Sequence, residues 1–151
     1  HIETIKTHFA TPIHRQSFKP ILDHLPTLKY YKDKRLVDTL GEQLVACSLI
    51  KDGHEIFEMN YNVPKIGEVD IISKNDNIVT FTEVKTQTKD HEWNELSAQI
   101  DEYESERIMN VACHYIDQYE LDVDIRFNVA KVILGAGKPK IDIIKNGMNA
   151  Y

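Results

Sequence analysis

Residues 78–84, IVTFTEV, constrain the fold more than any other stretch, because apolar or β-branched side chains occupy both parities of a strand. A strand that is apolar on both faces has to be covered on both, which places it inside a sheet with helices above and below. The neighbouring sequence supplies those parts. Leu36, Val37, Leu40, Leu44 and Cys47 recur at three- and four-residue intervals and Gly53 offers a stop, so a helix is expected over about 35–52. HEIFEMNYN (54–62), GEVDIIS (67–73) and NIVTFTEVK (77–85) read as three strands in a meander. Leu96, Ile100, Tyr103, Val111 and Tyr115 place a long helix over 95–119, and IRFNVAKVIL and KIDII add two strands joined by a Gly/Pro turn. An α/β fold follows, with a mixed sheet flanked by two helices.

Pro12, Pro20 and Pro26 make residues 1–33 read as irregular chain, with one short helix near Phe18–His24. The organisation expected is therefore an N-terminal arm over 1–35 and a single domain over 36–151, a size that supports one core. The net charge of −6 is unevenly spread: residues 1–35 hold seven Lys/Arg against three Asp/Glu, leaving eleven against twenty-one for the rest. A basic arm of this kind is either solvated or set against phosphates. No apolar run reaches the ~18–20 residues that cross a bilayer, so no membrane partner is expected. Cys47 and Cys113 lie in apolar-periodic stretches without metal-ligand spacing; they read as buried, reduced thiols, which points to the cytoplasm.

The chemistry concentrates between residues 67 and 87. With the tightest turn at Asn75-Asp76, Ile72 faces Val79, Asp70 faces Phe81 and Glu68 faces Glu83, so Glu68, Asp70, Glu83 and Lys85 share one face of the hairpin. A slip of one residue would part them. Two carboxylates ~5 Å apart repel by about 3 kcal/mol at an effective dielectric near 20. Solvent, a raised pKa or a divalent cation has to relieve that repulsion. Magnesium is commonly held by one or two carboxylates with water and substrate phosphate, and Asp70 with Glu83 has that chemistry. Lys85, two residues on, is then placed to orient water or offset charge at a phosphorus centre. The alternative is a solvated salt-bridge ladder, which a strand as apolar as this one disfavours.

Glu42 lies beside Gly41 in an otherwise apolar helix. A glycine there costs about 1 kcal/mol against alanine, and a close approach of the helix to the hairpin would account for it. Glu42 then becomes a further acid near the metal.

GEVDII followed by FTEVK resembles the acid, then acid-x-lysine signature of the restriction-endonuclease-like PD-(D/E)XK superfamily. The longer string from Gly41 to Gln87, with RIMNVACHYI and RFNVAKVIL, is similar to the YraN family of Holliday-junction-resolvase-like proteins. The resemblance implies an αβββαβ nuclease core. It makes Asp70, Glu83, Lys85 and Glu42 catalytic, with Asp70, Glu83 and Glu42 binding magnesium or manganese and Glu68 assisting. Gln99 and Tyr103 match a Q-x-x-x-Y spacing found in some nucleases of the superfamily, so Gln99 is a supporting candidate. DNA, branched DNA included, is the implied partner, with the arm or Lys65, Lys89 and Arg107 against its backbone; the resolvase likeness also carries the expectation of a homodimer. Three positions depart from the family pattern: Gln87 where an arginine is usual, Glu104 near a usual lysine, and Asn128 for aspartate.

Two functions are open at this point. One is a magnesium- or manganese-dependent endonuclease. The other is a nuclease-like fold serving as a nucleic-acid-binding or protein-interaction module, which the run of acids from Asp90 to Glu106 favours, since such a helix repels phosphate.

Overall fold

The computed structural model describes residues 28–88, 100–135 and 137–147. Strand β3 (Ile78–Thr88) is the middle of a five-stranded sheet of order β1-β2-β3-β4-β5, with β1 (Glu55–Val63), β2 (Gly67–Asn75), β4 (Asp124–Leu134) and β5 (Lys140–Lys145). Val79, Thr80, Phe81 and Thr82 are all buried, as a strand covered on both faces requires. The β1-β2-β3 meander is antiparallel, β3 and β4 run parallel, and β5 closes the edge antiparallel to β4.

Helices supply the two covers. On one side α2 (Val37–Lys51) sets Leu40, Val45 and Leu49 against Ile71, Ala130 and Val132. On the other, α3 (Glu102–Gln118) sets Ile108, Val111 and Tyr115 against Val69, Ile72, Val79 and Phe81. Phe81 anchors that layer through an edge contact with Tyr115 (6.0 Å) and a tilted one with Phe127 (5.8 Å). The α3 segment is also the crossover that parallel pairing of β3 with β4 demands. Element order and sheet together form a restriction-endonuclease-like αβββαβ core followed by one further strand.

Four expectations need correction. Helix α3 begins at Glu102, after Ile100 and Asp101, because the Asp101 side chain accepts from the Glu104 backbone N–H at 2.7 Å and caps it. Residues 28–33 are not irregular: they form α1 (Leu28–Asp33), with a Lys29–Asp33 ion pair one turn apart and Tyr31 buried at 1% exposure in the α2-side core. The cysteines are free, but Cys113 is exposed and Cys47 only half-buried, since α3 turns Val111, Ala112 and Tyr115 inward and leaves Cys113 to solvent. The hairpin register is taken up below. The expected helix near Phe18–His24 lies outside the described residues, as do residues 95–99. Among the described residues no helix is long and apolar enough to cross a membrane.

Candidate active site

The β2–β3 turn centres on Asp76 and Asn77, with Asp76 at φ 52, and pairs Asn75 with Ile78, Ile72 with Phe81 and Ile71 with Thr82. The register is thus two residues away from the expected Ile72–Val79 pairing. Both Asn and Asp tolerate the left-handed turn position, so residue type alone does not choose between the turns. A two-residue slip preserves parity, and its consequence is favourable: one step past the Ile71–Thr82 pair, Asp70 comes level with Glu83 instead of Phe81.

Side chains follow the backbone. Asp70 and Glu83 lie side by side on adjacent strands, and each acts on the other's ionisation. Two carboxylates this close disfavour each other's charged form. Burial, then the Asp70 charge, pushes Glu83 up to about 8. Asp70 is also raised by burial, against the pull of the Val84 backbone N–H, which donates to its Oδ2 at 2.7 Å. Lys85 Nζ lies 3.4 Å from Glu83 Oε1 and forms a second ion pair with Glu104 of α3. Burial alone would lower the lysine; these two carboxylates outweigh it and hold the ammonium above its ordinary value. Lys85 thus carries its charge between two carboxylates.

The fourth acid arrives because α2 packs unusually close to β3. A Cβ built on Gly41 would fall 1.8 Å from Thr86 Oγ1, so only glycine permits this contact. One residue on, Glu42 reaches a cavity of about 340 Å³ that it lines with Asp38, Asp70, Glu83, Lys85 and Thr86. Asn60 of β1 donates Nδ2–H to Glu42 Oε2 at 2.8 Å. Burial, opposed by that hydrogen bond and reinforced by the charges of Asp70, Asp38 and Glu68, pushes Glu42 up to about 7.

A smaller cavity of about 190 Å³ opens on the α3 side, lined by Glu68, Asp70, Glu83, Glu104, Arg107 and Ile108. Asp70 and Glu83 therefore border both spaces. Glu68 is exposed and accepts from Asn62 Nδ2 at 3.3 Å. Arg107 is exposed, donates Nε–H to the Ile66 carbonyl at 3.4 Å and sits 5.8 Å from the Tyr103 ring centroid. Lys65 is exposed in the β1–β2 turn and lines neither cavity. Lys89 and Gln99 lie outside the described residues.

Sequence reasoning missed Asn60, Asp38 and the contact of Glu104 with Lys85. An Asn within an apolar strand is a signal for the first, as Asn is among the residues that accept positive φ. The departure from lysine noted near Glu104 is a signal for the last.

The donor set suits a hard divalent cation. Two carboxylates whose charged forms are disfavoured border an open cavity, and a cation there would relieve their repulsion. Among the described residues no three His, Cys, Asp or Glu side chains are grouped so as to hold a metal ion by themselves. Asp70 and Glu83 would be the principal ligands, with Glu42 facing the same space and water completing the shell in the manner of magnesium.

A family model described as an uncharacterised protein family, UPF0102, matches residues 41–132, a span that includes Glu42, Asp70, Glu83, Lys85 and Glu104. A UPF0102 protein of Alkaliphilus metalliredigens is 38% identical over 108 residues, covering 71% of this chain and 92% of the relative. Another, from Caldanaerobacter subterraneus, is 31% identical over 120 residues, covering 79% and 97%. A third, from Koribacter versatilis, is 35% identical over 107 residues, covering 70% and 74%. By both its residues and its relatives, this chain belongs to the UPF0102 (YraN) family.

Proposed function

We propose that this protein is an endonuclease that hydrolyses phosphodiester bonds in DNA, branched DNA included, with magnesium or manganese. The observation that carries the reading is the junction of Asp70, Glu83 and Lys85 at the edge of an open cavity, two acids lining the same space with an ammonium 3.4 Å from one of them.

Hydrolysis joins a water oxygen to phosphorus and breaks the bond to the leaving sugar oxygen, with protons passing through solvent. A divalent cation, when bound, supplies Lewis acidity toward the scissile phosphate and toward water. Asp70 is held for its part by the Val84 N–H, and Glu83 by its neighbours Asp70 and Lys85. Lys85, kept protonated, places positive charge where negative charge grows on the phosphate oxygens. Glu42 faces the same cavity from α2 as a third oxygen donor.

A second reading is a nuclease-like fold that binds without cutting. It is favoured by the Lys85–Glu104 pair, which occupies the ammonium, and by the acids of the α3 N-terminus. Incubation of the purified protein with branched and linear DNA in magnesium or manganese separates the two. The hydrolase reading expects cleavage that Glu83→Ala and Lys85→Ala each abolish; no cleavage with either metal, or cleavage that survives both substitutions, sinks it. Tight manganese binding lost in Asp70→Ala counts against the inert module.

A further inference from the structure

We infer that Asn60 is a positioning residue that holds Glu42 in the cation site. This rests on the proposed function above.

Asn60 lies in the middle of β1 with φ 51, in the left-handed region that L-residues seldom adopt within a strand. Met59 packs in the α2-side core and Tyr61, two residues on, in the α3-side core. Their partners on β2, Ile71 and Val69, divide in the same way. Both strands therefore turn over at Asn60 and Asp70, which the β1–β2 register sets level with one another. The unusual backbone delivers the Asn60 amide to Glu42 Oε2 at 2.8 Å. Strain of this kind persists where the surroundings over-determine it, and it clusters at functional sites.

Glu42 needs such a partner. The charges that raise it are Asp70, Asp38 of its own helix and Glu68, all acids, while Lys85 lines the same cavity. The Asn60 amide is the hydrogen bond that opposes them, and it engages one oxygen, leaving Oε1 for a cation. Asn60 touches neither substrate nor cation in this arrangement; it acts through Glu42.

Manganese is the probe, and titration calorimetry on the whole protein the measurement. Asn60→Gly keeps the left-handed backbone accessible and removes only the amide. It is expected to weaken manganese binding roughly 10-fold, the lower end of what loss of a supporting hydrogen bond costs a metal site. In a Glu42→Gln background the same substitution is expected to have no further effect, an outcome that a merely structural role would not give. Asn60→Ala adds backbone strain, so it should lower the melting temperature more than Asn60→Gly while weakening binding to the same degree. Wild-type affinity in Asn60→Gly, with binding that still requires Glu83, overturns this inference alone. So does a loss that persists undiminished when residue 42 is already glutamine. A wild-type protein that takes up no manganese, or takes it up equally well as Glu83→Ala, overturns the proposed function along with it.

Discussion

Lys85 of β3 and Glu104 of α3 form an ion pair across the sheet-helix boundary, with side chains 25% and 33% exposed. The pair links the candidate catalytic strand to the first turn of the crossover helix, whose Asp101 cap fixes the Glu104 backbone. A substrate phosphate approaching Lys85 has to share it with this carboxylate and bear its repulsion.

Glu104→Gln should therefore tighten DNA binding several-fold in metal-free buffer, as read by fluorescence anisotropy, while costing less than about 1 kcal/mol of stability, the scale of a partly exposed pair. Weaker or unchanged binding would mean that phosphate does not approach by way of Lys85.

Gly41 and Thr86 set the distance between α2 and β3. In Gly41→Ala the new methyl group meets Thr86 Oγ1 at 1.8 Å and its Cβ at 2.9 Å, so the helix has to retreat and take Glu42 with it. Urea denaturation should show a loss of about 1–3 kcal/mol, the range for overpacking, despite the better helix propensity of alanine. Thr86 Oγ1 is buried without a hydrogen-bond partner among the described residues. Thr86→Ala alone should thus be close to neutral, and in combination should recover part of the loss. Full stability in Gly41→Ala contradicts the close packing.

What the sequence made legible follows from parity and periodicity. The apolar pattern of Ile78–Val84 located the central strand, and the glycine before Glu42 located the close helix contact. Asp70, Glu83 and Lys85 came together even though the register was displaced, because a shift of two residues preserves parity along the Ile71–Asn75 and Ile78–Thr82 ladder. What stayed hidden depends on features without a repeat. The reversal of β1 and β2 at Asn60 is a local backbone event. The meeting of Glu104 with Lys85 depends on how α3 is rotated over the sheet, and that is fixed by Ile108, Val111 and Tyr115 in the core, not by any local pattern.

The raised carboxyl groups dictate how stability follows pH. Glu83 at about 8 and Glu42 at about 7 lie above the ordinary glutamate value of 4.5, and Asp70 shifts in the same direction. The folded state thus binds more protons than the unfolded one between about pH 4.5 and 8. Stability contributed by these groups is complete below that window and is lost as pH rises through it. His54 works oppositely, since burial lowers it, but its effect ends near pH 6.5. Asp38, Glu68, Lys85 and Glu104 also face these groups, and Lys85, raised, stays charged throughout. The melting temperature of metal-free protein should accordingly fall from pH 6.5 to 8.5. Manganese should reduce the fall by offsetting the carboxylate charges, and Glu83→Gln should flatten it. A metal-free protein whose melting temperature rises over that interval would contradict the raised carboxyl groups.

Tyr31 bears on where the folded unit begins. Its ring is buried among Leu40, Val45 and Leu49 of α2 and Leu134 of β4, in edge contact with Tyr30 at 5.7 Å, and the Leu36 N–H donates to its carbonyl at 2.8 Å. Truncation to alanine leaves a cavity the size of an aromatic ring, a change that costs about 3–5 kcal/mol in a well-packed core. The hydroxyl has no hydrogen-bond partner among the described residues, and burial pushes its pKa up to about 12. Tyr31→Phe should therefore keep or slightly raise stability, because it removes an unsatisfied polar group and no packing. Urea denaturation of the two variants separates packing from polarity. If Tyr31→Ala unfolds at the wild-type urea concentration, α1 is an appendage; a large loss there with none in Tyr31→Phe makes it part of the core that supports α2 and, through α2, Glu42.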